Sequence, residues 1–291
     1  RSTRAGVQRH STSTCAWKNC RQPRLCNESI ELMIYTGYHV NAVREITMSV
    51  VLVTGASSGI CAAITIAFAE AGWDVMAAGR DEGRLEEVAD VSDKIVIWAG
   101  ELAESEDCDE LLADTIDEFG QLDCLVNNAG VIMRGNVADT TDEDWRRTMA
   151  INLDVPFFLS RAALPYLLIA EGSIVNIASD WGLRGGERAV AYCASKGGIV
   201  QLTKAMAKDH AREGLRVNAV CPGDVDTPML AAEAEASDME LAEYLEQAAE
   251  ESVNGRVATP EEVAALTLFL ASDTSAHING AAIPIDGGGL A

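Results

Sequence analysis

Positive charge is what this chain has least of. Its 291 residues hold 22 Lys and Arg against 45 Asp and Glu, a formal net charge of −23. The imbalance is uneven. Residues 1–47 carry seven basic and three acidic residues, so residues 48–291 hold −27 with only four lysines. Such a surface repels a phosphate backbone, which excludes nucleic acid as a partner. A solvated acidic face and adaptation to high salt are the two readings of that acidity. No run of about eighteen residues is free of charged and polar groups, so no membrane partner is expected. Metal-ligand spacing is also lacking. The four histidines, His10, His39, His210 and His277, lie far apart, and Cys15, Cys20 and Cys26 fit no metal template. No metal ligand set is therefore expected. Cys61, Cys108, Cys124, Cys193 and Cys221 stand singly in apolar or helical surroundings. They read as small buried hydrophobes in a reducing compartment, which points to the cytoplasm.

What is present is a regular alternation. Residues 1–47 show no sustained periodicity, and Met48 stands directly before an apolar run. The expectation is that Met48 is the natural start and that 1–47, vector-derived or translated from upstream, is a tail outside the fold. From there to residue 291, Val- and Ile-rich runs alternate with helical stretches. The runs are Val50–Val53, Asp74–Ala78, Lys94–Ala99, Cys124–Val126, Ser173–Ala178, Leu215–Val220 and Ala281–Ile285. Most read as strands buried on both faces. The helices are placed at Gly59–Ala71, Glu106–Phe119, Asp142–Ile169 and Tyr192–Arg212. Alternation of this kind predicts an α/β fold, a single doubly wound Rossmann domain over 48–291, with a seven-stranded parallel sheet and helices on both faces. With 48% hydrophobic residues, the chain can bury the core such a sheet needs.

The first run enters Thr54-Gly55-Ala56-Ser57-Ser58-Gly59-Ile60, with a helix after it. Glycine lets the backbone turn tightly and approach a pyrophosphate. The helix N-terminus then offers unpaired N–H groups and the positive end of its dipole. The second strand ends at Ala77-Ala78-Gly79-Arg80, with Asp81 next. In dinucleotide folds an acidic residue at that tip binds a ribose 2′-hydroxyl, and an Arg binds a 2′-phosphate. Arg80 therefore favours NADP, with NAD as the alternative.

Ser179 closes the fifth run, Tyr192 follows thirteen residues later, and Lys196 comes four after that. Positions four apart share a helix face. A phenol has a pKa near 10, and an adjacent ammonium favours the phenolate, a shift of about three units being worth roughly 4 kcal/mol. Tyr192 then exchanges a proton with a carbonyl or alcohol oxygen, and Ser179 hydrogen-bonds that oxygen. Ser179 is not in a Gly-x-Ser-x-Gly elbow, which disfavours a serine hydrolase.

With these motifs together, the chain resembles the short-chain dehydrogenase/reductase family over nearly all of residues 49–291. It is similar to the 3-oxoacyl-carrier-protein reductases and to alcohol and polyol dehydrogenases. The family's glycine turn is matched by Thr54–Ile60, and its Asn-Asn-Ala-Gly element by Asn127-Asn128-Ala129-Gly130. Its catalytic set is matched by Asn152, Ser179, Tyr192 and Lys196, and its Pro-Gly segment by Pro222-Gly223-Asp224-Val225-Asp226-Thr227. The resemblance implies an NAD(P)-dependent oxidoreductase acting on a small-molecule carbonyl or secondary alcohol. It implies that Gly55, Ser57, Ser58, Gly59, Ile60, Arg80, Asn128, Ala129, Gly130, Tyr192, Pro222 and Gly223 line the cofactor. It also implies that Val225 and Thr227 hold the carboxamide, that Lys196 binds the nicotinamide ribose, and that Asn152 positions a water in a proton relay.

Two positions depart from the family pattern. Cys61 replaces a third glycine, for which a small helix shift is expected. Glu101-Leu102 replaces Asp-aliphatic at the adenine contact. The resemblance further implies a substrate lid near 228–255, whose acidity argues against anionic substrates. It implies a homotetramer through Asp142–Ile169 and Tyr192–Arg212, helices with more apolar surface than one sheet face needs. Arg184 and Arg188 are candidate contacts for a substrate carboxylate or phosphate, or else solvated loop charges. A same-fold dehydratase or epimerase and a non-enzymatic NADP-binding sensor are the alternatives, and the complete Ser, Tyr, Lys and Asn set favours hydride transfer over both. Neither the substrate nor the preferred direction can be read from these residues.

Overall fold

Seven short apolar runs become seven parallel strands in the computed structural model, which describes residues 49–291. The expectations for 1–47, including Cys15, Cys20, Cys26, His10 and His39, lie outside the described residues. The strands are β1 Val50–Thr54, β2 Asp74–Gly79, β3 Ile95–Ala99, β4 Cys124–Asn127, β5 Ser173–Ile177, β6 Arg216–Pro222 and β7 Ala282–Ile285. Their order across the sheet is β3-β2-β1-β4-β5-β6-β7. The chain therefore winds outward from the centre in both directions, and the order reverses between β1 and β4. In open parallel sheets a ligand crevice opens at the carboxyl ends of the strands flanking such a reversal.

Side chains alternate across the strands as the pleat dictates. Val51 and Val53 of β1 face one apolar cluster, with Cys61, Ile64 and Phe68 of α1 (Gly59–Glu70) and Val263 and Leu270 of α9 (Pro260–Ala271). Val50 and Leu52 face the other, with Leu111 of α3 (Ser105–Phe119) and Leu159 and Leu167 of α5 (Val155–Ala170). Between α1 and α3 lies α2 (Glu82–Ala89). The five residues of β1, and those of β4 and β5, are buried throughout. The edge strands β3 and β7 are not, because each has a neighbour on one side only.

The long helix expected over Asp142–Ile169 is interrupted. α4 (Asp142–Met149) leads into a wide π-turn over Ala150–Asp154, and α5 continues from Val155. Pro156 near the start of α5 lacks an N–H, and the wider turn relaxes the ladder just before it. Val155 N–H reaches back to Ala150 O across that turn. The bulge carries Asn152, which is fully buried. Among the described residues, Asp142–Ala170 is long and apolar enough to cross a membrane by length and composition. Here its inner face packs on the sheet, while Trp145, Phe157 and Ile169 stay exposed.

The remaining helices are α6 (Val190–His210), α7 (Pro228–Ala236) and α8 (Leu241–Glu251). Residues 228–255 hold α7 and α8, broken at Ser237–Glu240, where Asp238 takes φ 54°.

Candidate active site

The site is built at the reversal between β1 and β4. Thr54, the last residue of β1, is buried, and its Oγ1 accepts from the N–H groups of Asn128 and Ala129 at 3.1 and 3.2 Å. That hydroxyl fastens the Asn-Asn-Ala-Gly loop to the glycine turn. Gly55 takes φ +74°, and a Cβ there would lie 3.1 Å from Ala129 Cα. Gly59 takes φ +57°, and a Cβ there would lie 3.3 Å from Thr227 Cγ2. Both positions need glycine for conformation and for close approach. Together they leave a backbone cradle in front of α1.

The start of α1 is left open. Ser58 makes no side-chain cap bond, and the first turn holds no acidic residue. Asp81, Thr141 and Thr259 do cap the helices they precede. Uncapped N–H groups beside a glycine cradle are the features a phosphate needs. The residues present thus fit a dinucleotide. Cys61 is fully buried, and its thiol donates to Thr54 O at 3.1 Å. The thiol thus sits buried against the end of β1, and burial pushes it well above its ordinary pKa. Of the other single cysteines, Cys108, Cys124 and Cys221 are buried as expected. Cys193 is only half-buried, because its sulfur bonds Gly186 N–H at 3.2 Å in a surface loop.

A cavity of about 300 Å³ runs from this cradle to Tyr192. Every site residue expected from the sequence lines it except Asn152, Glu101 and Leu102. Leu102 packs instead with Val96 and Trp98 on the α3 side of the sheet, and Glu101 stays exposed. The amide of Asn152 is fully engaged. Its Oδ1 accepts from Val131 N–H at 2.8 Å, and its Nδ2 donates to Val131 O at 2.9 Å and to Ser195 Oγ at 3.1 Å. It ties the loop after β4 to α6 rather than reaching the cavity wall.

Tyr192 and Lys196 project together from α6, as the four-residue spacing predicts. Their electrostatics differ from expectation. Lys196 is buried, and Nζ donates to Ile177 O at 2.8 Å, 5.7 Å from the centre of the Tyr192 ring. Burial lowers its pKa from 10.5 to about 8. The Tyr192 hydroxyl is pushed up to about 12, chiefly by desolvation, with the charges of Asp180 and Glu233 adding to the rise. A hydrogen bond with Ser179 opposes it. The ammonium is therefore not what tunes the phenol in this arrangement. Desolvation outweighs it, and the phenol keeps its proton.

Ser179 lies just past β5 and begins a short 3₁₀ turn. Its Oγ accepts from Trp181 N–H and donates to Asp180 Oδ1, both at 3.1 Å. Asp180 is itself buried, and its Oδ2 pairs with Arg184 at 2.7 Å. Arg184 thus pairs with Asp180, and Arg188 pairs with Asp139 at 3.7 Å. The sequence reading missed Asp180, although it adjoins Ser179. It also missed Arg134 and Glu233, which line the cavity and pair at 2.7 Å across 99 positions of chain.

A family profile described as enoyl-(acyl carrier protein) reductase matches residues 55–289. Meso-2,3-butanediol dehydrogenase of Serratia marcescens is 40% identical over 255 residues, covering 83% of this chain and 94% of that relative. The 3-oxoacyl-[acyl-carrier-protein] reductase of Thermotoga maritima is 35% identical over 245 residues, covering 82% and 96%. Among solved structures, the ligand-free aldohexose dehydrogenase of Thermoplasma acidophilum superposes with a TM-score of 0.78 at 32% identity, covering 84% and 94%. A variant of actinorhodin polyketide ketoreductase with NADPH gives 0.80 at 33% identity, covering 83% and 97%.

Proposed function

The chain belongs to the short-chain dehydrogenase/reductase family and is an NAD(P)-dependent oxidoreductase of carbonyls and secondary alcohols, and we propose that it uses NADP, with Tyr192, Ser179 and Lys196 handling the proton. The observation that carries this reading is the single cavity joining an uncapped, glycine-cradled helix start to Tyr192 and the buried Lys196. When bound, the nicotinamide supplies or accepts the hydride. Gly55, Ser57, Ser58, Gly59 and Ile60 would hold the pyrophosphate, and Val225 and Thr227 would hold the carboxamide. Tyr192 gives its proton to the carbonyl oxygen, and Ser179 donates a hydrogen bond to that oxygen after turning from Asp180. Asn152 acts by fixing the loop at Val131.

The NADP preference rests on the tip of β2. Arg80 is exposed and lines the cavity, free to meet a 2′-phosphate. The neighbouring acid is already spent: Asp81 accepts from Arg84 N–H at 3.2 Å and pairs with its guanidinium at 3.4 Å. An exposed charge-assisted contact of this kind is worth roughly 1.5–3 kcal/mol, or about ten- to a hundredfold. Arg80→Ala should therefore raise KM for NADPH by at least tenfold and leave KM for NADH nearly unchanged. Initial rates with both cofactors check this, and a wild-type preference for NADH would remove the assignment.

We further propose a homotetramer and a cytoplasmic location. Trp145, Phe157 and Ile169 give the Asp142–Ala170 helix an apolar outer face, which supports a homotetramer. Five free thiols among the described residues support a reducing compartment, the cytoplasm.

A further inference from the structure

One wall of the cavity supplies no group that gives or takes the transferred proton. It carries Arg134, Trp181, Met229, Leu230 and Glu233. Glu233 stands on α7, and its side chain is 13% exposed. Arg134 Nη2 donates to its Oε2 at 2.7 Å, and the Tyr244 hydroxyl of α8 donates to the same oxygen at 3.2 Å. Oε1 takes no hydrogen bond from the described residues. A carboxylate offers about four acceptor sites, and Oε1, which is not among the buried unpartnered atoms, is open to a ligand in the cavity that Glu233 lines.

The pair is also close to the reacting end. The Arg134 guanidinium lies 4.7 Å over the Trp181 ring and donates to Glu187 O at 3.2 Å. Trp181 meets the Tyr192 ring edge-on at 6.1 Å between centres. The charge of Glu233 reaches Tyr192, where it helps hold the phenol protonated. An unserved acceptor and a proton donor thus flank one aromatic side chain in one cavity. Arg134 does not offer a free positive charge, since Glu233 neutralises it. Asp180, which pairs with Arg184, lines the same cavity, so this wall holds no unneutralised cation for a substrate carboxylate among the described residues.

We infer that Glu233 Oε1 accepts a hydrogen bond from a second hydroxyl of the substrate, so that the enzyme selects carbonyls and secondary alcohols bearing a neighbouring hydroxyl. This rests on the oxidoreductase reading above and names the substrate class of that site. In the reductive direction, hydride goes to the carbonyl carbon and the Tyr192 proton to its oxygen. The neighbouring hydroxyl is untouched and serves only to orient.

The test compares kcat/KM with NADPH for 3-hydroxybutan-2-one, butan-2-one and 2-oxobutanoate, in the wild type, Glu233→Gln and Tyr244→Phe. A hydrogen bond to a charged group predicts that the wild type prefers the hydroxyketone over butan-2-one by roughly tenfold or more. Glu233→Gln should cut that ratio to below about threefold, chiefly through KM for the hydroxyketone. Tyr244→Phe keeps the carboxylate and should keep most of the ratio. A wild-type ratio near one overturns the inference and needs no variant to fold. So does a Glu233→Gln effect that is equal on both ketones, which would make Glu233 a mere tether for α7. Preference for 2-oxobutanoate overturns it in favour of Arg134 as a carboxylate binder. Failure to reduce any ketone while NADPH binds overturns the oxidoreductase reading itself.

Discussion

Tyr192→Phe is expected to lower turnover by two to four decades while leaving NADPH binding within about twofold. General acid–base catalysis by a placed group contributes roughly 10²- to 10⁴-fold, equivalent to about 3–5 kcal/mol of barrier. The substitution removes only the hydroxyl. The ring stays against Trp181 and beneath Lys196, so the cavity keeps its walls. The raised pKa of about 12 adds a direction to the expectation. A phenol that holds its proton is ready to act as an acid, so carbonyl reduction should vary little with pH between about 6 and 8. Alcohol oxidation needs the phenolate, whose population grows about tenfold per pH unit below that pKa, so oxidation should climb steadily into the alkaline range. Stopped-flow turnover across pH, with cofactor binding followed by fluorescence, separates the two effects. Near-normal turnover of the Phe variant would end the proposed role, and an oxidation rate flat with pH would mean that the bound state retunes the phenol.

The framework of this site was legible in the sequence because it is local. Each strand runs into its turn within a few residues, and β-branched runs between glycines mark the places where that happens. Gly55 and Gly59, the Asn128–Gly130 loop and the Tyr192–Lys196 spacing all lie within single stretches of chain. The contacts that decide charge and specificity were not legible, because they join distant stretches. Nothing near Arg134 announces Glu233, and nothing near Lys196 announces that its ammonium ends on Ile177 O rather than on a carboxylate. The π-turn was hidden for another reason. Its residues keep a helical apolar pattern, and only Pro156 signals that the ladder must widen. The tuning of Tyr192 was hidden as well, because spacing shows proximity to a charge but not the depth of burial that competes with it.

Lys196→Met is expected to abolish turnover and yet stabilise the protein at pH 7. A buried ammonium with one carbonyl for a partner is held at the cost of desolvation. The sign follows from the shift. The native pKa of about 8 lies below the ordinary 10.5, so the unfolded chain binds the proton more tightly. Stability is therefore lowest below pH 8 and rises as pH climbs from there towards 10.5. A gap of this size corresponds to roughly 3 kcal/mol. Methionine has similar length and no charge, and it forfeits the bond to Ile177 O and the contact of the ammonium with the Tyr192 ring, together worth about 1–2 kcal/mol. A net gain of about 1–2 kcal/mol at pH 7 should remain, and the alkaline rise in stability should flatten in the variant. Urea unfolding at pH 7 and pH 9.5, wild type against variant, measures both quantities. A variant less stable than the wild type at pH 7 would show that the ammonium is compensated in a way the Ile177 bond does not provide. Greater stability together with lost turnover would identify Lys196 as a residue kept for chemistry against the interest of the fold.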